Sequence, residues 1–341
     1  MFHADAVVMT NNGDRLRLNA ADAVERISAE LRAQLGSQLR RRGLVVAMSG
    51  GIDSSTCAAL AVNALGPKHV FGLFLPERDS DPISLQLATE LATQLGIDHV
   101  TEDIAPILAA AGCYARRDEA IQRAVPEYGE GWKCKLVLPT GRGQHDGLNV
   151  TQLVVQNPAG KQWSVRLGAA EYRQVVAATN FKQRVRKMME YYHADRLHYA
   201  VVGTPNRLEY DQGFFVKGGD GLADVKPIAH LYKTQVYQVA EHLGVPKAIT
   251  SRPPTTDTFS LPQSQEEFYF SFPARTLDQL LHARNAGDSA AETARRTGLT
   301  EEQVAWGFRD IAQKRATTRY LHLHSLTVEP VPLPREDEDA G

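Results

Sequence analysis

The stretch VVAMSGGIDSS, residues 45–55, is an apolar run that ends in two glycines, followed by a carboxylate and hydroxyls. The apolar residues 44–48 predict a short buried strand, and the alanine- and leucine-rich residues 55–65 predict a helix after it. Glycines let the backbone approach a ligand closely, and the free N–H groups at a helix start attract anions. This turn therefore predicts a phosphate cradle, but one without the lysine of the G-x-x-x-x-G-K-[ST] loop.

Strands and helices alternate outward from this turn. Further apolar runs predict strands at residues 69–76, 99–104 and 198–204. Helical spacing of apolar residues predicts helices at residues 20–42, 83–96 and 178–194. This alternation predicts an α/β fold with a doubly wound parallel sheet. Ligands of such sheets bind outside the carboxyl ends of the strands, which is where the glycine turn lies.

Residues 131–175 interrupt the alternation. The runs NVTQLVVQ and QWSVRLG flank a turn at residues 157–161, and Trp163, Val165 and Leu167 alternate along one face. We interpret this stretch as a β-hairpin insertion. The predicted organisation is an N-terminal helix at 1–43, a nucleotide-binding domain at 44–262 with the insert at 131–175, a helical C-terminal region at 263–330, and a disordered acidic tail at 331–341.

Length, net charge and cysteine content limit the functional classes to which this chain can belong. The chain has 341 residues, a net charge of −2 and three cysteines without a Cys-x-x-Cys pair. This balance predicts neither a nucleic-acid nor a membrane partner. The absence of a signal peptide, of a long apolar run and of a disulfide framework predicts a cytoplasmic protein.

Two signatures carry a family resemblance. The run SGGIDS, residues 49–54, resembles the pyrophosphate loop of ATP pyrophosphatases, which cleave ATP between the α and β phosphates. Residues 202–234, VGTPNRLEYDQGFFVKGGDGLADVKPIAHLYKT, and residues 252–257, RPPTTD, are similar to the long signature of the NAD synthase family. The resemblance implies the adenine nucleotide alpha hydrolase-like version of the doubly wound fold. It also implies a C–N bond-forming ligase that adenylates the carboxylate of deamido-NAD⁺ with ATP and amidates it with ammonia.

The resemblance also implies roles for individual residues. Asp53 and Lys233 are implied in catalysis, and Asp53 and Glu209 in binding Mg²⁺. The residues implied in ATP binding are Ser49, Gly50, Gly51, Ile52, Asp53, Ser54, Thr204, Lys233 and Thr255. Those implied in substrate binding are Arg184, Lys217, Asp224 and Lys314, although Gln313 stands where the family has a histidine before the lysine.

Elementary chemistry agrees with part of this assignment. Mg²⁺ prefers one or two carboxylates together with phosphate oxygens, which Asp53 and Glu209 would provide. Lys233 would neutralise the charge that develops on departing pyrophosphate. The resemblance further suggests a homodimer. About 44 residues precede the first strand, too few for a nitrilase-type amidase domain, so ammonia is expected to be free or supplied by a separate glutaminase subunit.

Other functions stay open at this point. The insert and the changed histidine position leave room for a related amide ligase that adenylates a different carboxylate. A non-catalytic nucleotide-binding module would be expected to lose a metal ligand or the glycine turn, and Asp53, Glu209 and Lys233 are all present. A tRNA-thiolating enzyme would be expected to carry catalytic cysteines or a basic RNA-binding surface, and the sequence has neither pattern.

Overall fold

The computed structural model describes residues 15–138, 151–256 and 258–331. Within them the strands are β1 (Leu44–Ala47), β2 (Val70–Phe74), β3 (Asp98–Thr101), β4 (Lys133–Val137), β5 (Gln152–Gln156), β6 (Gln162–Arg166) and β7 (Ala200–Val201). The helices are α1 (Ala20–Ala33), α2 (Ile52–Leu65), α3 (Pro82–Leu95), α4 (Ala105–Ala110), α5 (Cys113–Gln122), α6 (Ala169–Leu197), α7 (Arg207–Gln212), α8 (Lys233–His242), α9 (Lys247–Thr250), α10 (Gln265–Phe268), α11 (Ala274–Ala286), α12 (Ala290–Thr297) and α13 (Glu301–Thr318).

The predicted parallel sheet is confirmed. Its strand order is β3-β2-β1-β7, and each neighbouring pair is parallel. Successive side chains of β1 point to opposite faces, as strand geometry requires. Leu44 and Val46 pack into a core with residues of α1, α2 and α8, whereas Val45 packs into a second core with residues of α4, α5 and α6. Helices therefore cover both faces, which is the doubly wound arrangement.

The boundaries of several elements differ from the predicted ones. The strand expected at 198–204 is only Ala200–Val201. The Val202 N–H still donates to the Val45 carbonyl at 3.0 Å, and the chain then enters the loop before α7. Residues 169–175, expected in the insert, form the beginning of the 29-residue helix α6. The helix expected at 20–42 ends as α-helix at Ala33 and continues as a π-helical turn, Gln34–Gln38. The predicted disordered tail lies outside the described residues from position 332 onward.

The insert is a three-stranded antiparallel sheet and not a hairpin alone. The predicted hairpin is present as β5 and β6, and its missed third strand is β4, which pairs with β5 from Lys133↔Gln156 to Val137↔Gln152. Its inner face forms a third core with α5, α6 and Phe259. None of the helices in the described parts of the chain is long and apolar enough to cross a membrane.

Candidate active site

The glycine turn joins β1 to α2 and leaves the start of the helix open. Gly50 has a φ of +71°, a left-handed conformation that favours glycine. A Cβ atom built at Gly50 would lie 2.3 Å from the carbonyl oxygen of Ser84, so a larger residue would displace backbone. The N-cap of α2 is Gly51, and no side chain caps this helix start. Its first N–H groups are therefore available to an anion, as the sequence predicts.

Two hydroxyls brace the same turn. The Ser49 and Ser54 Oγ atoms are 3.1 Å apart, and the Ser54 hydroxyl accepts a hydrogen bond from the Ser49 N–H at 3.2 Å. The Gly51 carbonyl accepts the Ser54 hydroxyl at 3.2 Å. These contacts fix the turn and place both serines in the wall of one cavity.

The two carboxylates predicted to bind Mg²⁺ lie beside this turn. Asp53 is in the first turn of α2, and Glu209 is in α7, the short helix that follows β7. Asn206 connects them: its side-chain amide donates to Asp53 Oδ1 at 3.0 Å, and its backbone N–H donates to Glu209 Oε2 at 3.2 Å. Burial, and then the negative charge of Asp53, raise the pKa of Glu209 to about 7. The pair is thus an electrostatically costly arrangement, of the kind that a bound cation relieves.

Lys233, the first residue of α8, forms an ion pair with Asp53. Its side chain is almost fully buried. Burial alone would lower the pKa of Lys233, but the charges of Asp53 and then Glu209 raise it above its usual value. The ammonium group is therefore held charged against the acidic pair, where it offsets part of their negative charge.

One large cavity connects these groups with other predicted residues. Its volume is about 910 Å³, and it opens at the carboxyl ends of β1 and β2 and beside the loop after β7. The predicted residues in its wall are Ser49, Gly51, Ile52, Asp53, Ser54, Arg184, Thr204, Glu209, Lys217 and Thr255. Lys233 lies behind Asp53 and, together with Glu209, borders a separate pocket of about 90 Å³.

The four residues implied in substrate binding fall into two groups. Arg184 and Lys217 line the cavity, and Arg184 Nε donates to the Lys217 carbonyl at 3.3 Å. The carboxylate of Asp224 accepts the Val201 N–H at 2.7 Å, and Lys314 pairs with Asp310 at 2.8 Å. Asp224 and Lys314 are not among the described residues that line the cavity.

Lys217 makes further contacts at the cavity mouth. Its ammonium group donates to the carbonyls of Tyr320 and Leu323 at 2.9 and 3.0 Å. Tyr320 also contributes to the cavity wall. Residues 320–323 therefore contact the loop that carries Lys217.

Sequence reasoning missed several residues that shape the site. Gln265 Nε2 donates to Glu209 Oε1 at 2.9 Å, and Asn206 joins the two carboxylates. A buried ion cluster also underlies the cavity: Lys182 Nζ lies 2.8 Å from Glu77 Oε1 and 2.8 Å from Asp79 Oδ2. An asparagine before a helix signals an N-cap, which is the only local indication that any of these residues gave.

Known proteins resemble this chain in sequence and in structure. The sequence model of the NAD synthase family matches residues 23–125 and 147–320. A relative from Rhizobium rhizogenes (strain K84), named NH(3)-dependent NAD(+) synthetase, is 56% identical over 320 residues, which cover 94% of this chain and 96% of the relative. The solved structure of an NH3-dependent NAD synthetase from Campylobacter jejuni has a TM-score of 0.60 at 20% identity, covering 92% of this chain and 100% of that one. The structure of an NMN synthetase from Francisella tularensis has a TM-score of 0.62 at 22% identity, covering 91% and 99%.

Proposed function

The chain belongs to the NAD synthase family, and we propose that it is an ammonia-dependent NAD⁺ synthase. The reaction uses ATP to join deamido-NAD⁺ and ammonia, and it gives NAD⁺, AMP and pyrophosphate. One observation carries the proposal: an uncapped helix start and a pair of carboxylates, Asp53 and Glu209, face the same large cavity. A cradle for phosphates next to a cation site is what cleavage of ATP between its α and β phosphates requires.

ATP would bind with its leaving phosphates on the turn at residues 49–54. The N–H groups at the start of α2 and the hydroxyls of Ser49 and Ser54 would hold the phosphate oxygens. Thr204 and Thr255 lie in the wall of the same cavity and would contact the nucleotide. Lys233 would stabilise the negative charge of departing pyrophosphate from behind Asp53.

The acidic pair fits a Mg²⁺ ion. Within residues 15–138, 151–256 and 258–331, no group of three or more histidine, cysteine, aspartate or glutamate side chains could hold a metal by itself. Asp53 and Glu209 would therefore supply only two ligands and leave the remaining positions to phosphate oxygens and water, which is the arrangement that Mg²⁺ favours. Bound there, the ion would neutralise phosphate charge. The Asn206 contacts would hold the two carboxylates in place beside each other.

The acceptor would bind in the part of the cavity near Arg184 and Lys217. Their positive charges suit the phosphates or the carboxylate of deamido-NAD⁺. We also retain Asp224 and Lys314 as proposed substrate contacts on the strength of the family resemblance. Both lie outside the wall of the cavity within one subunit, so either would have to move or act across the interface of the proposed homodimer.

The chemistry proceeds in two steps. The carboxylate oxygen of the acceptor attacks the α-phosphorus of ATP, and the bond to pyrophosphate breaks. Ammonia then attacks the carbonyl carbon of the acyl-adenylate, loses a proton, and expels AMP. The protein positions the reactants and excludes water, which would otherwise hydrolyse the adenylate. We propose that the reaction takes place in the cytoplasm with ammonia that is free or delivered by a separate glutaminase.

A substrate screen tests the proposal. Purified protein is incubated with ATP, MgCl₂ and either ammonium or glutamine, and the acceptor is deamido-NAD⁺ or nicotinate mononucleotide. The mononucleotide is included because a structural neighbour is called an NMN synthetase. We expect AMP and NAD⁺ in equal amounts, with ammonium and deamido-NAD⁺ only. AMP release with another carboxylate and not with deamido-NAD⁺ would instead identify the chain as a related amide ligase.

A further inference from the structure

Strand β4 lies at the edge of the inserted sheet, and its free side is hydrogen-bonded to the chain around Thr255. We call residues 254–256 and 258–265 the Thr255 segment. The Leu261 N–H donates to the Cys134 carbonyl at 3.1 Å, and the Cys134 N–H donates to the Ser260 hydroxyl at 2.9 Å. Just beyond β4, the Leu138 N–H donates to the Glu267 carbonyl at 2.8 Å. The open edge of the insert is thus occupied by the segment that carries a proposed ATP contact.

Gln263 makes the most direct connection between β4 and the nucleotide site. Its side chain is buried, and its amide Nε2 donates to the carbonyl of Leu136 in β4. Its Oε1 atom accepts the hydroxyl of Thr256 at 3.2 Å, and its backbone carbonyl accepts the Thr256 N–H at 3.2 Å. Thr256 is the neighbour of Thr255, so Gln263 links β4 to the ATP side of the cavity through a single side chain.

The other contacts of the Thr255 segment reach the core and the cation site. Lys182 of α6 donates to the Thr258 carbonyl at 2.7 Å, and Lys182 itself is fully buried between Glu77 and Asp79. At the other end, Gln265 donates to Glu209 Oε1. The segment is therefore attached on one side to Glu209 of the acidic pair and on the other to the insert.

Strand β4 lies where the family model does not match the chain. It occupies residues 133–137, within the stretch 126–146 that lies between the two matched parts of the chain.

We propose that β4 and Gln263 are positioning elements that hold the Thr255 segment in its ATP-binding arrangement before the nucleotide arrives. A preordered segment loses less conformational freedom on binding, so ATP affinity is higher than it would be for a free loop. This inference rests on the proposed function only in that Thr255 binds ATP. Gln263 touches neither ATP nor acceptor in this proposal and acts through Thr256.

Replacing Gln263 with glutamate tests the proposal. The substitution keeps the length of the side chain and the acceptor for Thr256, but it removes the donor to Leu136 and sets a carboxylate against a carbonyl oxygen. We expect the Kd for α,β-methylene-ATP with MgCl₂, measured by calorimetry, to rise about tenfold, which corresponds to about 1.4 kcal/mol. The KM for the acceptor should change less than about twofold, whereas general loss of structure would affect both ligands.

The matched control is Gln162→Glu. Gln162 is exposed in β6, at the opposite edge of the same inserted sheet, so the chemical change is identical but the Thr255 segment is not touched. Its Kd should stay within about twofold of the wild-type value. A second test variant, Gln263→Met, removes both side-chain bonds without adding charge. If both Gln263 variants fold and bind the analogue as tightly as the wild type, the proposal is wrong.

Hydrogen exchange on the unmodified protein tests the proposed positioning role even if the variants do not fold. The amides of Leu261 and Thr256 should be protected in the nucleotide-free protein, because the proposal has their acceptors, the carbonyls of Cys134 and Gln263, in place before nucleotide binds. Protection that develops only after nucleotide is added would overturn the proposal.

Failure of this inference can be told apart from failure of the proposed function. Binding of the analogue requires no acceptor and no product. If the protein makes no NAD⁺ but Gln263→Glu still weakens analogue binding, the positioning role stands and the assigned reaction falls.

Discussion

Glu209→Gln should make the ligand-free protein more stable while abolishing its activity. Glu209 is nearly buried, and burial together with the charge of Asp53 raises its pKa from 4.5 to about 7. A carboxyl group with a raised pKa in the folded state contributes stability that is fully present below its unfolded pKa and is lost as the pH rises through the folded pKa. Glutamine has the same shape, cannot ionise, and keeps an acceptor for the Asn206 N–H; its Nε2 replaces the oxygen that accepts from Gln265, whose side-chain amide has to rotate so that its oxygen accepts instead.

The size of the effect follows from that pKa difference. Since one pKa unit corresponds to about 1.4 kcal/mol, ionising Glu209 costs the folded protein about 3 kcal/mol at pH 8. The stability gained by Glu209→Gln relative to the wild type should therefore grow by about this amount between pH 4.5 and pH 8. The stability difference between the variant and the wild type should increase mainly between pH 4.5 and pH 7, because the unfolded group titrates near 4.5 and the folded group near 7.

Urea denaturation in EDTA at pH 5, 6, 7 and 8 measures the difference. Glu241→Gln is the matched control, since Glu241 is exposed in α8 and its replacement should change stability by a small amount at every pH. A difference between Glu209→Gln and the wild type that does not vary with pH would refute the reasoning. So would an active Glu209→Gln enzyme, because the proposed Mg²⁺ site would then not need this carboxylate.

Three further substitutions test other parts of the site. Gly50→Ala should lower the free energy of unfolding by about 1–2 kcal/mol, because alanine is strained in the left-handed conformation of Gly50. It should also weaken ATP binding, measured by calorimetry, because the new Cβ atom meets the Ser84 carbonyl. Unchanged binding would contradict the phosphate cradle. Lys233→Met should lower the kcat measured by pyrophosphate release by about 10²–10³-fold, with little change in the KM for the acceptor. A loss of only a few-fold would argue against stabilisation of departing pyrophosphate by Lys233. Lys182→Met leaves Glu77 buried without its cation and should reduce the free energy of unfolding by about 3–5 kcal/mol in urea, whereas exposed Lys161→Met should not.

The parallel sheet could be predicted because its signals are local. Each strand of the sheet is a short apolar run, and each helix beside it has its own periodicity, so the order of elements follows from reading along the chain. The glycine turn is likewise a contiguous stretch, and its conformation at Gly50 agrees with the prediction. Pairing of β4 with β5 depends instead on a partner that begins 15 residues after β4 ends, which no local pattern specifies.

The contacts inside the site could not be predicted for the same reason. Asn206 and Asp53 are 153 positions apart, and Lys182 and Glu77 are 105 positions apart. Nothing in the residues around Lys182 distinguishes it from the charged residues that follow it on α6, which suggest a solvated helix face. Only the packing of α6 against the loop after β2 shows that this lysine is buried.

The two ends of the cavity are formed by different structural elements, and this affects which residues would have to change for the protein to use a different acceptor. The end that we propose for the phosphates is formed by the turns after β1 and β7, so its geometry is tied to the sheet itself. The other end is formed by α6, by the loop that carries Lys217, and by Leu136 of the inserted sheet. Of these elements, α6 packs against β1 and the inserted sheet bonds to the Thr255 segment, whereas the loop that carries Lys217 is in neither sheet. A change of acceptor within this fold is therefore expected to require substitutions in the loop that carries Lys217, and these should leave the proposed ATP contacts at the glycine turn intact.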